Sequence, residues 1–190
     1  MIRRRRLLAA AAGGLGLASM GAADDAAWGA LASGAATIVL FRHAHAPGVG
    51  DPTGMRIGDC SSQRNLDAEG RAQARRLGEA FRQRGVRVGR VLSSRWCRAS
   101  ETAALAFPGQ VNESPEFDSF FANAVNEPAQ TARALSVLRQ WKGPGVLVVF
   151  THQVNIRALT EKNTTSAEGL VVREEGTGGA PLRVLGRLSF

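Results

Sequence analysis

The sequence predicts a three-layer α/β/α domain on a mainly parallel central sheet, and three observations predict it. Continuous apolar runs at residues 37–41 and 146–150 have the character of buried strands, and residues 86–92 carry a second short apolar run at Val86, Val88, Val91 and Leu92. Stretches with apolar residues three and four apart separate them, as amphipathic helices require. Polar, chemistry-bearing residues stand where the apolar runs stop, and in open α/β sheets ligands bind beyond the carboxyl ends of the strands.

Each element follows in order. The run Thr37-Ile-Val-Leu-Phe41 is the first strand and stops at Arg42-His43. Residues 46–62 carry Pro47, Gly48, Gly50, Pro52, Gly54 and Gly58, the composition of a long loop; loops of that length in a compact domain are usually functional. Asp67 is placed to cap a helix running to about residue 83, with Gly70, Ala74, Leu77 and Phe81 on one stripe and Gly85 beyond its end. The second strand covers residues 86–92, and a helix over 96–106 closes before Pro108. Residues 115–126 are polar and aromatic without a period and are expected to be loop. Ala132, Leu135 and Leu138 predict a helix over 128–141, and Gly143-Pro144-Gly145 turns the chain into the strand at 146–150. A helix over 154–159 follows, then two closing strands at 169–173 and 182–190 around a turn at 176–181.

The chain has 190 residues, enough for one buried core and too few for two. Residues 1–23 combine a cationic head, a short apolar run and small residues before Asp24, the three parts of a secretory signal. The apolar run falls short of the ~20 residues that span a bilayer. The expected organisation is therefore a signal at 1–23, a mobile Ala/Gly-rich lead-in at 24–35 and one domain at 36–190. The expected location is the periplasm or another exported site, with no stable membrane insertion after cleavage. Arginine supplies nearly all of the 24 basic residues against 16 acidic ones. Four of the arginines lie in the leader at residues 3–6, and no basic run is interleaved with aromatics, so a nucleic-acid partner is not expected. Cys60 and Cys97 are an even pair that an exported chain could bridge or leave as two thiols.

Three strand ends carry the chemistry: Arg42 and His43 after the first, Arg98 a few residues after the second, and His152 after the third. Guanidinium forks suit phosphate oxygens, and a neutral imidazole is a competent nucleophile at neutral pH. Such a group can hold a phosphoryl group for in-line attack, with arginine supplying the charge stabilisation and no metal or other cofactor required.

At these residues the chain resembles the histidine phosphatase superfamily, also called phosphoglycerate mutase-like. The resemblance rests on Phe41-Arg42-His43-Ala44, on Ser94-Arg95-Trp96-Cys97-Arg98-Ala99-Ser100-Glu101-Thr102-Ala103, on Val148-Val149-Phe150-Thr151-His152, and on Arg64-Asn65-Leu66-Asp67-Ala68-Glu69-Gly70-Arg71-Ala72-Gln73-Ala74. It implies that His43 is the nucleophile that becomes phosphohistidine. It implies also that Arg42, Arg98 and His152 hold the phosphoryl group. The family's glycine after the nucleophile is Ala44 here, and His45 has no matching role.

A leaving alkoxide needs a proton, which suits a carboxyl group at the pocket mouth. Asp118, flanked by Phe117, Phe120 and Phe121, is the first choice; Asp51 and Asp59 in the long loop are the alternatives. The short chain favours hydrolysis over mutase action, on a small phosphorylated substrate of the envelope or periplasm. With export, this resembles the small branch that includes lipopolysaccharide-core heptose phosphatases, which implies a phosphosugar of the cell envelope. Two other readings stand beside it: a phosphohistidine protein phosphatase, and a catalytically inactive phosphate-binding module.

Overall fold

The computed structural model describes residues 18–174 and 181–190. Most of the expected leader, residues 1–17, and the turn at 176–180 lie outside the described residues. Six strands form one sheet in the order β3-β2-β4-β1-β5-β6. They are β1 (Ile38–Arg42), β2 (Val88–Ser93), β3 (Val111–Glu113), β4 (Val146–Thr151), β5 (Gly169–Arg173) and β6 (Arg183–Leu188). Strands β1 to β4 run parallel to one another, and β5 and β6 add an antiparallel edge. Five helices pack on it: α1 (Ala18–Ala32), α2 (Ala68–Gln83), α3 (Cys97–Ala106), α4 (Glu127–Gln140) and α5 (Gln153–Thr160).

The alternation of side chains along each strand divides the core into two layers. Val39 and Phe41 of β1, with Val146, Val148 and Phe150 of β4, face α1, α2 and α3 and pack with Trp28, Leu77 and Phe81. Ile38, Leu40, Leu147 and Val149 face the opposite way, onto Leu135 and Leu138 of α4 and Ile156 and Leu159 of α5. Both faces are thus dry, which is why these strands read as unbroken apolar runs. Each large side chain so buried contributes roughly 1.5–3 kcal/mol.

One expectation is corrected. Residues 24–35, read as a mobile lead-in, lie mostly in α1, and Ala27, Trp28 and Leu31 are buried in the core. Trp28 meets Phe81 edge to face at 5.1 Å, and the Arg84 guanidinium lies 4.4 Å over its ring. The helix sits so close to β6 that a Cβ on Gly186 would come within 2.6 Å of the Ala27 Cβ. Small residues that read as unpatterned in sequence are what permit this approach. The folded unit therefore begins before residue 36. The short edge strand β3, three residues long, is a further element that the sequence pattern does not predict.

Topology positions the site. Strands β1, β2 and β4 are parallel neighbours, so their carboxyl ends emerge together. Arg42, His43, the Ser94-to-Arg98 segment and His152 consequently meet along one sheet edge. Gly70 fixes the loop after His43 against α2: a Cβ there would stand 2.0 Å from the His45 carbonyl oxygen. Any larger residue would push that loop away from the helix.

Candidate active site

His43 and His152 face each other with ring centroids 5.5 Å apart. Both line a cavity of about 220 Å³ with Arg42, Arg64, Arg98 and Asp51. The convergence expected from three strand ends is therefore present for His43, Arg42, Arg98 and His152.

His43 is held by backbone on both sides: its N–H donates to Thr151 O at 3.0 Å, and its carbonyl accepts from Ala167 N at 3.2 Å. The ring's Nδ1 lies 2.7 Å from Ala44 O, which can only accept, so Nδ1 carries the proton. Nε2 then presents its lone pair and accepts from Arg98 Nε at 3.2 Å. Burial, reinforced by Arg98, Arg42 and Arg64, pushes His43 down to about 3, against the raising effect of the Ala44 carbonyl. At neutral pH the ring is neutral and nucleophilic at the atom facing the cavity.

His152 is arranged the opposite way round. Arg98 Nη2 lies 3.5 Å from its Nδ1, and Ser94 Oγ lies 2.8 Å from its Nε2. A guanidinium only donates, so Nδ1 is the acceptor and the Nε2 proton is directed at Ser94. Ser94 Oγ passes the polarity on, donating to Asp118 Oδ1 at 3.2 Å. Burial also drives His152 well below the usual histidine value, with His43 and the arginines adding to it.

This network corrects the choice of Asp118 as proton donor. Its carboxylate is buried behind His152 and does not line the cavity. Oδ1 accepts from Ser94 Oγ and from Arg95 N at 2.8 Å; Oδ2 accepts from Arg95 Nε at 2.8 Å and Nη2 at 2.6 Å. Its main-chain carbonyl accepts from Asn155 Nδ2 and Gln130 Nε2. Asp118 is buried, and its bonds to Ser94 and Arg95 turn the carboxylate away from the opening. Asp118 is linked to His152 through Ser94 and lies outside the cavity lining.

Asp51 is the one carboxylate among the described residues that line the cavity. It pairs with Arg98 through Nη1 to Oδ1 at 2.6 Å and Nη2 to Oδ2 at 3.2 Å, and accepts from Trp96 Nε1 at 2.9 Å. Burial alone would raise it, but these bonds outweigh burial and hold its carboxyl below the usual aspartate range. Asp59 is tied to Arg56 and Ser61 away from the cavity. His45 pairs with Asp67 at 2.9 Å outside the cavity, a structural place that fits its lack of a role in the motif.

Arg64 is a site residue that sequence reasoning does not single out. It stands in the cavity wall with Nε donating to Gly50 O at 2.7 Å and Nη1 to Ala46 O, so it also staples the long loop. Its one signal in the sequence is its place at the head of the motif that runs into α2. Arg42 donates from Nη1 to Thr164 O at 3.0 Å, while its buried Nε has no partner among the described residues. Burial, and then repulsion from Arg98, lower both Arg42 and Arg64. Three guanidiniums crowded against one carboxylate make a pocket whose electrostatics call for an anion.

Cys60 and Cys97 form a disulfide with Cα atoms 5.7 Å apart. It ties the loop that carries Asp51 and Arg64 to the first residue of α3, next to Arg98. Thr102 Oγ1 adds a second tie, accepting from Ala44 N at 3.0 Å and donating to Arg98 O at 2.6 Å.

A buried pair of imidazoles ringed by guanidiniums, at the carboxyl ends of parallel strands, defines a class: α/β proteins built to handle an oxyanion. A family model described as the histidine phosphatase superfamily (branch 1) matches residues 38–126, a span that includes His43, Arg98 and Asp118. The match covers a little under half of the chain, and over those residues the chain is similar to that superfamily. Among solved structures, a phosphoglycerate mutase from Thermus thermophilus is 23% identical, with TM-score 0.55 over 80% of this chain and 98% of that one. The protein histidine phosphatase SixA complexed with tungstate is 18% identical, with TM-score 0.53 over 80% and 96%. The alpha-ribazole phosphatase from Shigella flexneri is 16% identical, with TM-score 0.56 over 78% and 95%. At these identities the likeness is one of fold. No curated protein matches the sequence.

Proposed function

We propose that the protein is a phosphomonoester hydrolase that works through a phosphohistidine on His43 and needs no metal. The observation that carries this reading is the unprotonated His43 Nε2, held neutral and accepting from Arg98 Nε in a cavity walled by Arg42, Arg64 and Arg98. In the first step Nε2 attacks phosphorus, the N–P bond forms and the ester P–O bond breaks. The Nδ1–H bond to Ala44 O stabilises the positive charge gained by the ring. The guanidiniums carry the charge of the equatorial oxygens.

Asp51 is the proton carrier in this scheme. A phosphoryl group that engages Arg98 draws the guanidinium from Asp51 and places negative charge beside it. Both changes raise the carboxyl's proton affinity. Protonated Asp51 then gives its proton to the departing alkoxide. In the second step its carboxylate takes a proton from the attacking water, the N–P bond breaks, and inorganic phosphate leaves with His43 restored.

An exported setting completes the proposal. The leader composition supports it, and so does the Cys60–Cys97 bridge, since disulfides persist in oxidising compartments. A phosphohistidine protein substrate is the second reading, drawn from the likeness to SixA.

The test is hydrolysis of butyl phosphate with excess chelator, combined with alkaline-quench trapping of labelled phosphate on the protein. Turnover in chelator, with label that is stable in base, labile in acid and missing from His43→Ala, is the expected result. Turnover that vanishes with chelator and returns with a divalent cation overturns the metal-free scheme; unchanged labelling of His43→Ala overturns the nucleophile.

A further inference from the structure

Four large apolar side chains are well exposed among the described residues: Val49 at 88%, Ile57 at 40%, Phe121 at 59% and Val125 at 82%. Exposed apolar residues scattered singly over a surface need no explanation. These are not scattered. Val49 and Ile57 stand on the long loop after the nucleophile, and Phe121 and Val125 on the segment before α4. These segments flank the cavity, and Val49 and Phe121 line it. The two sides meet at Gly50, where a Cβ would come 3.7 Å from the Phe121 ring.

The polar side chains at the same opening, Gln153 and Ser119, already hold hydrogen bonds within the protein. Gln153 Oε1 accepts from Thr164 N and Oγ1, and its Nε2 donates to Asn163 Oδ1. Ser119 Oγ accepts from Phe121 N at 3.3 Å. The cavity is therefore divided by chemistry, with guanidiniums and imidazoles at the inner end and Val49, Phe121 and Val154 at the outer. A sugar would offer its hydroxyls to a rim with few free partners, whereas a hydrocarbon would cover apolar surface now in water.

From this division we infer that the substrate is a phosphomonoester of an apolar alcohol, whose hydrocarbon portion lies between Val49 and Phe121. The inference rests on the phosphatase reading for the word substrate, and on the rim alone for the apolar alcohol. It replaces the phosphosugar implied by the sequence resemblance.

The experiment is calorimetric binding of methyl-, butyl- and hexylphosphonate to the full chain at one pH, which needs no turnover. Affinity should rise roughly twofold to threefold per added methylene, somewhat below the value for complete burial because the rim is open. Glucose 6-phosphate should bind no more tightly than methylphosphonate. In a Val49→Ser, Phe121→Ser double variant the ratio of hexyl to methyl affinity should collapse towards one. Equal affinities across the wild-type series, or a ratio untouched by the double variant, would overturn the inference. Hydrolysis of butyl phosphate separates the two claims: an intact binding series without turnover defeats the catalytic reading and leaves the apolar site standing.

Discussion

Asp51 grips Arg98 with both carboxylate oxygens, at 2.6 and 3.2 Å, on the guanidinium that also donates to His43 Nε2. The carboxylate thus occupies hydrogen-bonding directions on Arg98 that a phosphoryl group would use. In the proposed scheme substrate binding loosens this pair, and the same event makes Asp51 a proton carrier.

Asp51→Asn should separate the two roles. It frees Arg98, so inorganic phosphate should inhibit more strongly, while kcat for butyl phosphate should fall by about 10²–10⁴. The loss should be much smaller for p-nitrophenyl phosphate, whose leaving group needs no proton. Steady-state kinetics on both substrates, with phosphate as inhibitor, reads all of this. Equal losses would remove Asp51 as acid.

Asp118→Asn should act through His152 rather than on the leaving group. The variant keeps the shape but weakens the anchor of Ser94 and Arg95, so kcat should fall by a similar factor for alkyl and aryl phosphates. Ser94→Ala should reproduce that pattern, since it breaks the same chain of bonds. A loss confined to alkyl phosphates would restore Asp118 as the proton donor.

The buried imidazoles make stability depend on pH with a definite sign. His43 is held down to about 3, and His152 is also held well below its usual value. As pH falls through about 6.5 the unfolded chain takes up protons on these groups and the native chain does not. Both contributions are complete above about pH 6.5; that of His43 is lost between there and about 3, and that of His152 falls in the same direction. Urea midpoints should therefore fall as pH drops from about 7.5 to about 4.5, and His43→Gln should flatten that slope. Parallel slopes would contradict the buried neutral state.

Reducing the Cys60–Cys97 bridge releases a loop closed across 37 positions of sequence. The entropy of that closure is worth about 2–4 kcal/mol to the native state. Because the loop also carries Asp51 and Arg64, KM should rise on reduction under conditions where the chain remains folded. A Cys60→Ser, Cys97→Ser variant should show the same rise and be indifferent to reductant. Denaturant melts and kinetics with and without dithiol supply the check.

Much of the fold can be read directly because its sheet is buried on both faces: β1 and β4 are almost unbroken apolar runs. The stripe of Gly70, Ala74, Leu77 and Phe81 gives α2 its face. What escapes is structure without local contrast. Helix α1 is rich in alanine and glycine, and its order depends on Trp28 finding Phe81 and on Gly186 leaving room for Ala27, partners far away in sequence. Within the candidate site, His43, Arg42, Arg98 and His152 are legible because each stands next to a strand end or helix start.

The amino-acid sequence by itself determined the parallel α/β core and the four cationic or imidazole groups at its carboxyl edge, since local periodicity and strand termination decide both. Only the tertiary structure decided which carboxylate meets those groups. Asp51 and Asp118 are equivalent in charge and both lie in irregular chain. The disulfide and Arg64 hold the loop of Asp51 over the cavity, while Arg95 and Ser94 draw Asp118 behind His152. Direction in space, set by bonds between distant segments, is the property that a string of residues does not carry.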